Sequence, residues 1–460
     1  MPKERSSIKQ KTIASIVTPL AEGGIGKIIV SGPDALNVVN TLFKGKGIAD
    51  LRESASHKLY YGYIHDKGRK IDEVILNVTK QGDSFTGEDA VEVNCHGGVR
   101  VLLRVYECVQ SAGAEGAEWD SLLLQSFENR KMDLIRKEAI QELVHARTKL
   151  GVKILLNQYA GALPEAVKHG LEIIERIRQS VCTEGNDQEV PVSVLAGHIE
   201  HLLETAPFGM ALTTSQVLVI LGKPNVGKST LINAILGEER MLVHHEPGTT
   251  RDYVSEYISV GGIPFEMVDT AGVRETSDTL EAMSIEMTQE QLRRADKVIA
   301  VFDNSRNIDE ADEGILNALN QWLAAKRTDG LQQKALAHAI VPVINKCDLP
   351  AKADRARIES AIKSPLCCIS ALNREGFEDL RKRLVQEFDT AKNSTGPVVF
   401  NSRQYHLLEK AAALVKQEAG SLAGKNGSGR AFKTLDELKN LFELLYSPKD
   451  LHRKTQGNTP

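Results

Sequence analysis

The stretch that decides the fold of this chain is GKPNVGKS at residues 222–229, which directly follows the apolar run VLVIL at 217–221. It matches G-x-x-x-x-G-K-[ST], and the sequence supplies the preceding strand and the following helix (230–236) that this pattern requires. Such a loop turns backbone N–H groups toward phosphate, its lysine reaches the β- and γ-phosphates, and its hydroxyl residue ligates Mg²⁺. The residues predicted to bind the phosphates here are Asn225, Val226, Gly227, Lys228, Ser229 and Thr230.

Two segments further along have the spacing of GTPase switch regions. PGTTRD occupies residues 247–252, where the hydroxyl of Thr250 can become a second Mg²⁺ ligand beside that of the phosphate loop. DTAG occupies residues 269–272, where Asp269 is predicted to orient the metal through water and the N–H of Gly272 to bind the γ-phosphate. The predicted nucleotide-binding residues of this part of the chain are His244, Thr249, Thr250, Asp269 and Gly272.

The identity of the base follows from NKCD at residues 345–348, which ends an apolar run at 340–344. The carboxylate of Asp348 can accept two N–H groups from the edge of guanine, which adenine does not offer. SAL at residues 370–372 then lies where a backbone N–H would meet guanine O6. The predicted base-binding residues are Asn345, Lys346, Asp348, Ser370, Ala371 and Leu372.

The residue after DTAG is Val273, which cannot orient a water molecule, so hydrolysis needs help from another group. Asn225 and the segment 244–249 indicate a monovalent cation, K⁺, beside the β- and γ-phosphates. The alternative is that Asn225 only caps the loop. Glu281 is a candidate for polarising the attacking water through a second water, and a solvated helix residue is the alternative interpretation.

The periodicity of the chain predicts α/β structure combined with an all-α part. Short strands (13–17, 27–30, 74–78 and 90–94) alternate with helices (35–43 and 99–111) in the first part, and a period of three to four residues then predicts long helices. Alternating strands and helices across the phosphate loop predict a doubly wound parallel sheet. The predicted domains are residues 1–132, a helical domain of residues 133–214 and 389–460, and a GTPase domain of residues 215–388 inserted into it.

Composition is that of an ordinary globular protein: 460 residues, 42% hydrophobic, 26% charged, with a formal net charge of −4. That balance excludes a protein that coats nucleic acid by bulk charge, so any RNA contact must be local.

The six cysteines lack CxxC spacing, which predicts reduced thiols in the cytoplasm and neither a disulfide framework nor a zinc site. No apolar run reaches membrane-spanning length and no signal peptide is expected. Cys95 and His96 are adjacent, so their side chains are expected to point apart and to be structural.

Several of these residues, together with the first part of the chain, resemble the MnmE (TrmE) family of tRNA-modification GTPases. The likeness extends from about residue 11 to about residue 445, and SFTGED is its most specific motif. The matching segments are TIA at 12–14, EGGIG at 22–26, SGP at 31–33, SFTGED at 84–89, VE at 91–92, CHGG at 95–98 and FENRKMDL at 127–134.

The resemblance implies a GTP-dependent addition of an aminomethyl-type group to the wobble uridine of tRNA. It implies a flavin-dependent partner of the MnmG type, a one-carbon tetrahydrofolate, and a homodimer formed through a folate-binding-like N-terminal domain. It carries a water-activating role onto Glu281, beside Lys228 and Asp269 as catalytic residues, and folate contacts onto Glu92 and Lys131. The K⁺ ligands that it implies are Asn225, His244, Glu246 and Thr249.

The chain departs from the family pattern at three places. Ile29 stands where the family has a folate-contacting arginine, with Lys27 nearby, and WDSLL at 119–123 replaces Pro-Gly-Glu-Phe-Thr. The sequence has no cysteine after Cys368, whereas the family ends in a cysteine assigned to the modification reaction. The first hypothesis is therefore a wobble-uridine modification GTPase with a weakened folate site. The alternatives are a regulatory switch that has lost the modification chemistry and a ribosome-assembly GTPase.

Overall fold

The computed structural model describes residues 11–182, 191–239, 256–267, 292–328, 338–388, 395–422 and 429–447. The chain divides into two compact units, Met1–Gln141 and Glu142–Pro460. A division into two units does not test limits drawn for three domains, so the predicted domain limits stay a prediction.

The first unit is built on a seven-stranded sheet with the order β3-β4-β5-β6-β2-β1-β7. Neighbouring strands are antiparallel except β1 and β7, which are parallel. The β4–β5 hairpin turns through Lys67 (φ 49°) and Gly68 (φ 81°), and positive φ at both positions gives the twist that a two-residue hairpin loop needs. The strands are β1 (Ile13–Ile16), β2 (Ile25–Ser31), β3 (Phe43–Gly45), β4 (Lys58–Asp66), β5 (Arg69–Thr79), β6 (Ala90–His96) and β7 (Glu115–Gly116).

Helices cover one face of this sheet and leave much of the other face accessible. The helices α1 (Ala35–Leu42) and α2 (Val99–Ser111) share a core with the sheet residues that point toward them, such as Leu76. On the opposite face Ile75 is 50% exposed, since side chains alternate along a strand. A one-turn 3₁₀ helix (Leu51–Glu53), α3 (Trp119–Glu128) and α4 (Leu134–His145) complete this part of the chain.

The second unit contains a six-stranded sheet with the order β13-β12-β11-β8-β10-β9, parallel except for the β9–β10 pair. Every residue of β11 and β12 is buried, which is typical of parallel strands covered on both faces. The doubly wound arrangement predicted from the sequence is therefore confirmed. Its strands are β8 (Gln216–Leu221), β9 (Glu256–Val260), β10 (Ile263–Met267), β11 (Lys297–Asp303), β12 (Ile340–Asn345) and β13 (Cys367–Cys368). Its helices are α8 (Lys228–Glu239), α9 (Glu310–Thr328), α10 (Arg355–Ile362) and α11 (Phe377–Val385), with a 3₁₀ turn at Gln386–Phe388.

Five further helices form the all-α part of the second unit, and two of them, Lys149–Ala160 and Val192–Thr213, share a core with the sheet. Phe208 and Leu212 lie in one buried cluster with Phe265 of β10. After the sheet the chain returns beside the helix Val192–Thr213, where the N–H of Val399 donates to Thr205 Oγ1 (3.0 Å). The helices are α5 (Lys149–Ala160), α6 (Ala162–Cys182), α7 (Val192–Thr213), α12 (Ser402–Leu422) and α13 (Gly429–Tyr446).

Most strands and helices predicted from periodicity are confirmed, with ends shifted by a few residues. In the first unit the predictions missed β3, β4, β7 and α3. The three tyrosines of β4 and the Lys67-Gly68 turn were a usable signal for a hairpin. No helix in the described part of the chain is long and apolar enough to cross a membrane.

Candidate functional site

The phosphate loop spans residues 222–227, between the end of β8 and the start of α8. Lys228 folds back over this loop, where its Nζ donates to the backbone oxygens of Gly222 (2.7 Å) and Lys223 (2.8 Å). Burial lowers the pKa of Lys228. An ammonium that is desolvated and held by carbonyl oxygens gains most from an anionic ligand, so the loop is arranged for phosphate.

The path of the loop depends on two residues with positive φ. Asn225 has φ 63°, a conformation that asparagine adopts more readily than most residues. Gly227 has φ 97°, and a Cβ there would lie 2.2 Å from Nδ2 of Asn345. The second glycine of the pattern is therefore required both by the backbone and by the close approach of the NKCD segment.

Asn345 joins three segments that the sequence predicts to bind nucleotide. Its Nδ2 donates to the backbone oxygen of Val226 (2.8 Å), and its Oδ1 accepts from the N–H of Ala371 (2.9 Å). The residue is 2% exposed, so each lost bond would leave a buried polar group unpaired. We refer to Asn345 with its two partners as the asparagine clamp.

Lys346 adds a second connection between these segments. Its Nζ donates to the backbone oxygen of Asn225 (2.8 Å) and to Oδ2 of Asp303 at the end of β11 (2.6 Å). Burial would raise the pKa of Asp303, but hydrogen bonds from Lys346 and Ser305 outweigh it and lower that pKa. The lysine therefore binds a carboxylate that stays ionised.

Lys223 makes contacts that sequence reasoning missed. Its Nζ lies 2.6 Å from both Asp309 and Asp312, which flank the start of α9. Burial would lower the pKa of Lys223, but the hydrogen bonds to the two carboxylates raise it. The spacing of the sequence held no signal for these pairs, because they depend on which loops meet at the carboxyl ends of neighbouring parallel strands.

The side chains predicted to meet the base lie at the outer end of the clamped segments. Asp348 is exposed, and Leu372 is 79% exposed just beyond the clamped Ala371. Ser370 is buried and its Oγ accepts from the N–H of Asn373 (3.2 Å). These residues are brought together at one edge of the sheet, as their motif order predicts.

The first turn of α8 carries Ser229 and Thr230, and both are exposed. The remaining predicted residues of the GTP and cation sites lie outside the described residues, so their placement stays a prediction. They are His244, Glu246, Thr249, Thr250, Asp269, Gly272 and Glu281.

In the first unit, Glu92 of β6 pairs with Lys27 of β2, with Nζ and Oε2 2.8 Å apart. Position 29, where the chain has isoleucine, lies two residues further along β2 and therefore on the same face as Lys27. Lys131 instead donates to the backbone oxygen of Gly82. Among the contacts of the described residues, none joins Lys131 to Glu92.

The SFTGED segment is held by partly buried hydrogen bonds to the carboxyl-terminal end of α3. Nδ2 of Asn129 donates to the backbone oxygen of Thr86 (2.8 Å) and to Oε1 of Glu88 (3.0 Å). Ser126 Oγ donates to the backbone oxygen of Phe85 (2.6 Å). The SFTGED and FENRKMDL segments are thus joined through Asn129.

Cys95 and His96 do not form a catalytic pair, which confirms the structural interpretation. The Cys95 thiol is buried and donates to the backbone oxygen of Gly26 (3.3 Å), and burial raises its pKa to about 11. His96 turns to the other face, where its Nδ1 lies 2.7 Å from Oδ1 of Asp72.

Two protein-family models match the chain. "GTP-binding protein TrmE N-terminus" matches residues 12–131, and "50S ribosome-binding GTPase" matches residues 217–346. The tRNA modification GTPase MnmE of Geobacillus kaustophilus is 33% identical over 452 residues, covering 94% of each chain. Its counterpart in Lactococcus lactis subsp. cremoris MG1363 is 35% identical over 429 residues, covering 90% of this chain and 89% of that one.

A solved structure, the G domain of the T. maritima FeoB iron transporter, is 22% identical and covers 38% of this chain and 99% of its own. Its TM-score of 0.27 is too low to support an inference.

Proposed function

This chain belongs to the MnmE family of tRNA modification GTPases and hydrolyses GTP, and from that premise we propose that it acts in wobble-uridine modification of tRNA. The observation that carries the proposal is the asparagine clamp, which joins the segments needed for GTP in a chain that also holds the braced SFTGED motif. In the proposed reaction GTP hydrolysis drives the addition of an aminomethyl-type group, with a flavoprotein partner of the MnmG type.

We assign the nucleotide as follows. The carboxylate of Asp348 accepts from the guanine edge, and the backbone around Ala371 meets O6. Lys228 exchanges its two carbonyl contacts for the β- and γ-phosphates, to which it adds a positive charge. The clamp fixes the distance between the base and phosphate contacts, so the nucleotide is positioned by the chain before it is hydrolysed.

Two cations fit this arrangement. The hydroxyl of Ser229, exposed on the first turn of α8 beside Lys228, suits Mg²⁺, and the exposed side-chain amide of Asn225 suits K⁺. Bound cations at these places supply charge neutralisation for the phosphates. Turnover of GTP is expected to be faster in KCl than in NaCl, and equal rates in the two salts would remove the cation role given to Asn225.

The first unit supplies the proposed folate site and the proposed homodimer contact. Glu92 matches an acidic residue that contacts folate in the family. Lys27 supplies a cation on the same sheet face as Ile29, which supports a folate site that uses lysine where the family uses arginine. Lys131 is the third proposed contact. A protein that acts on tRNA is expected in the cytoplasm.

The decisive experiment is nucleoside mass spectrometry of tRNA from a bacterium that lacks its own MnmE. The strain would express either this chain or its Lys228→Ala variant at a matched level. Wobble-uridine modification is expected to return with the unaltered chain and to stay absent with the variant. No return, from a protein that still hydrolyses GTP after purification, would favour a switch without modification chemistry.

A further inference from the structure

Two of the six cysteines lie in the segments assigned above to guanine. Cys347 is the third residue of NKCD, between Lys346 and Asp348. Cys368 ends β13, two residues before Ser370. The inference below rests on the proposed assignment of these segments to the base.

Sheet pairing brings Cys347 next to the residue that follows Cys368. Strands β12 and β13 are parallel neighbours with Ile344 opposite Cys368, and the N–H of Cys347 donates to the backbone oxygen of Ile369 (3.0 Å). This hydrogen bond to the residue next to Cys368 holds the backbone of Cys347 close to that of Cys368, as a disulfide between them requires. The two thiols already interact: burial first, then the charge and hydrogen bonding of Cys368, raise the pKa of Cys347 to about 11.

The two thiols differ in access to solvent. Cys368 is exposed, and Nη1 of Arg355 lies 3.6 Å from its sulfur. Arg355 is itself held in place by Asn304, whose Oδ1 accepts from Nη2 (2.8 Å). Cys347 is partly buried and donates to the backbone oxygen of Ile344 (3.3 Å). A reagent from solvent therefore meets Cys368 first, and Cys347 stands next to it as a resolving thiol.

The other four cysteines lack this arrangement. Cys95, Cys108 and Cys367 are buried, and Cys182 is exposed at the end of α6. Cys367 is next to Cys368 in sequence, but alternation along the strand turns it into the core, where burial raises its pKa to about 12. The exposed Cys368 and the buried Cys367 beside it thus provide an internal control.

We propose that Cys347 and Cys368 form a thiol–disulfide modification site, where a small disulfide of the glutathione class oxidises the pair and weakens guanine-nucleotide binding. The sulfur of Cys368 attacks the small disulfide RSSR, which forms a mixed disulfide and releases one RSH. The sulfur of Cys347 then attacks the Cys368 sulfur of that mixed disulfide and releases the second RSH. The two protein thiols lose two hydrogens and two electrons, and RSSR gains both.

Binding is affected because the new bond moves the residue next to Asp348. To reach the sulfur of Cys368, the Cys347 side chain must leave the backbone oxygen of Ile344. The asparagine clamp holds Ala371 on one side, so the displacement falls on the position of the Asp348 carboxylate. The hydrogen bonds from guanine to this carboxylate depend on its position, and we expect the affinity for guanine nucleotides to fall by about tenfold or more. In a reducing compartment such a bond is transient, as in a redox sensor.

The test uses the purified full chain, treated with oxidised glutathione and then with dithiothreitol. Intact-mass measurement is expected to show the loss of two hydrogens, and an unreduced digest to show a peptide pair that links Cys347 to Cys368. Titration with a fluorescent GDP analogue is expected to show weaker binding after oxidation and full recovery after reduction.

Three variants identify the site. Cys347→Ser should stop at the mixed disulfide on Cys368, and Cys368→Ser should form no cross-link. Cys182→Ser should keep the whole response. The inference is overturned if no cross-link joins Cys347 to Cys368, or if the cross-linked protein binds the GDP analogue as tightly as its reduced form. If the reduced protein does not prefer guanine over adenine nucleotides, the proposed base assignment fails. The cross-link is measured separately, by mass spectrometry, so failure of the base assignment and failure of the disulfide proposal can be distinguished.

Discussion

The two sheets of this chain carry their candidate sites in different ways. In the six-stranded sheet β11 and β12 are buried along their whole length, so polar side chains that face a ligand are found in the loops beyond the strand ends. In the seven-stranded sheet one face remains accessible, and polar groups such as Lys27 and Glu92 stand on the strands themselves.

This difference predicts how each site responds to the substitution of one side chain. The loop-built site joins distant segments through Asn345 and Lys346, so one lost side chain releases several loops. The strand-built site is held by backbone register, which survives the loss of a side chain. We therefore expect large, shared effects in the first case and small, local effects in the second.

The largest effect is expected for Asp348→Asn, which tests base recognition. An amide places an N–H donor where the carboxylate accepts, so guanine loses a partner while the C2 carbonyl of xanthine gains one. Affinity for GTP should fall about a hundredfold, with XTP bound more tightly than GTP. Competition of both nucleotides against a fluorescent GDP analogue would measure this. Unchanged preference for GTP would place the base elsewhere.

A smaller effect is expected for Asn345→Ala, which opens the clamp. The backbone oxygen of Val226 and the N–H of Ala371 would lose their buried partner, which lowers the free energy of unfolding by about 2–3 kcal/mol. Urea-induced unfolding would measure it, with Asn373→Ala as the matched control on the same edge. Equal unfolding midpoints for the two variants would mean that the loops are held by other contacts.

The smallest effect is expected for Lys27→Ala. The Lys27 and Glu92 side chains are 34% and 26% exposed, so loss of their ion pair should change stability by less than about 1 kcal/mol. Binding of 5-formyl-tetrahydrofolate should nevertheless weaken several-fold in a calorimetric titration, and Lys27→Arg should retain it. Equal binding by Lys27→Ala and the unaltered chain would remove the folate role of this lysine.

The sequence was most informative where the backbone itself is constrained. Gly227 and Asn345 are recognisable in a motif because no other residues permit that φ value and that pair of hydrogen bonds. Contacts that depend on which strands become neighbours in the sheet leave no local pattern in the amino-acid sequence. The Lys223 pairs with Asp309 and Asp312, and the meeting of Cys347 with Cys368, follow from the order of the sheet and could not be read from spacing.

The first unit was harder to predict for a related reason. The motif SFTGED is recognisable by resemblance, but its bracing by Ser126 and Asn129 joins segments about forty residues apart. The Lys27–Glu92 pair spans 65 residues and depends on the pairing of β2 with β6. Periodicity identified both strands and carried no information about which would be partners.

The return of the chain beside α7 has a consequence for synthesis on the ribosome. Helices α6 and α7 emerge early, but α12 and α13, which pack against them, are made only after the whole sheet. Phe208 and Leu212 can be covered by the growing sheet, whereas Gly170 of α6 must wait for Phe442, against which it packs so closely that a Cβ would lie 2.1 Å away. The nascent helices therefore expose apolar surface for the time needed to translate the GTPase segment, which makes this interval the one in which a chaperone would bind.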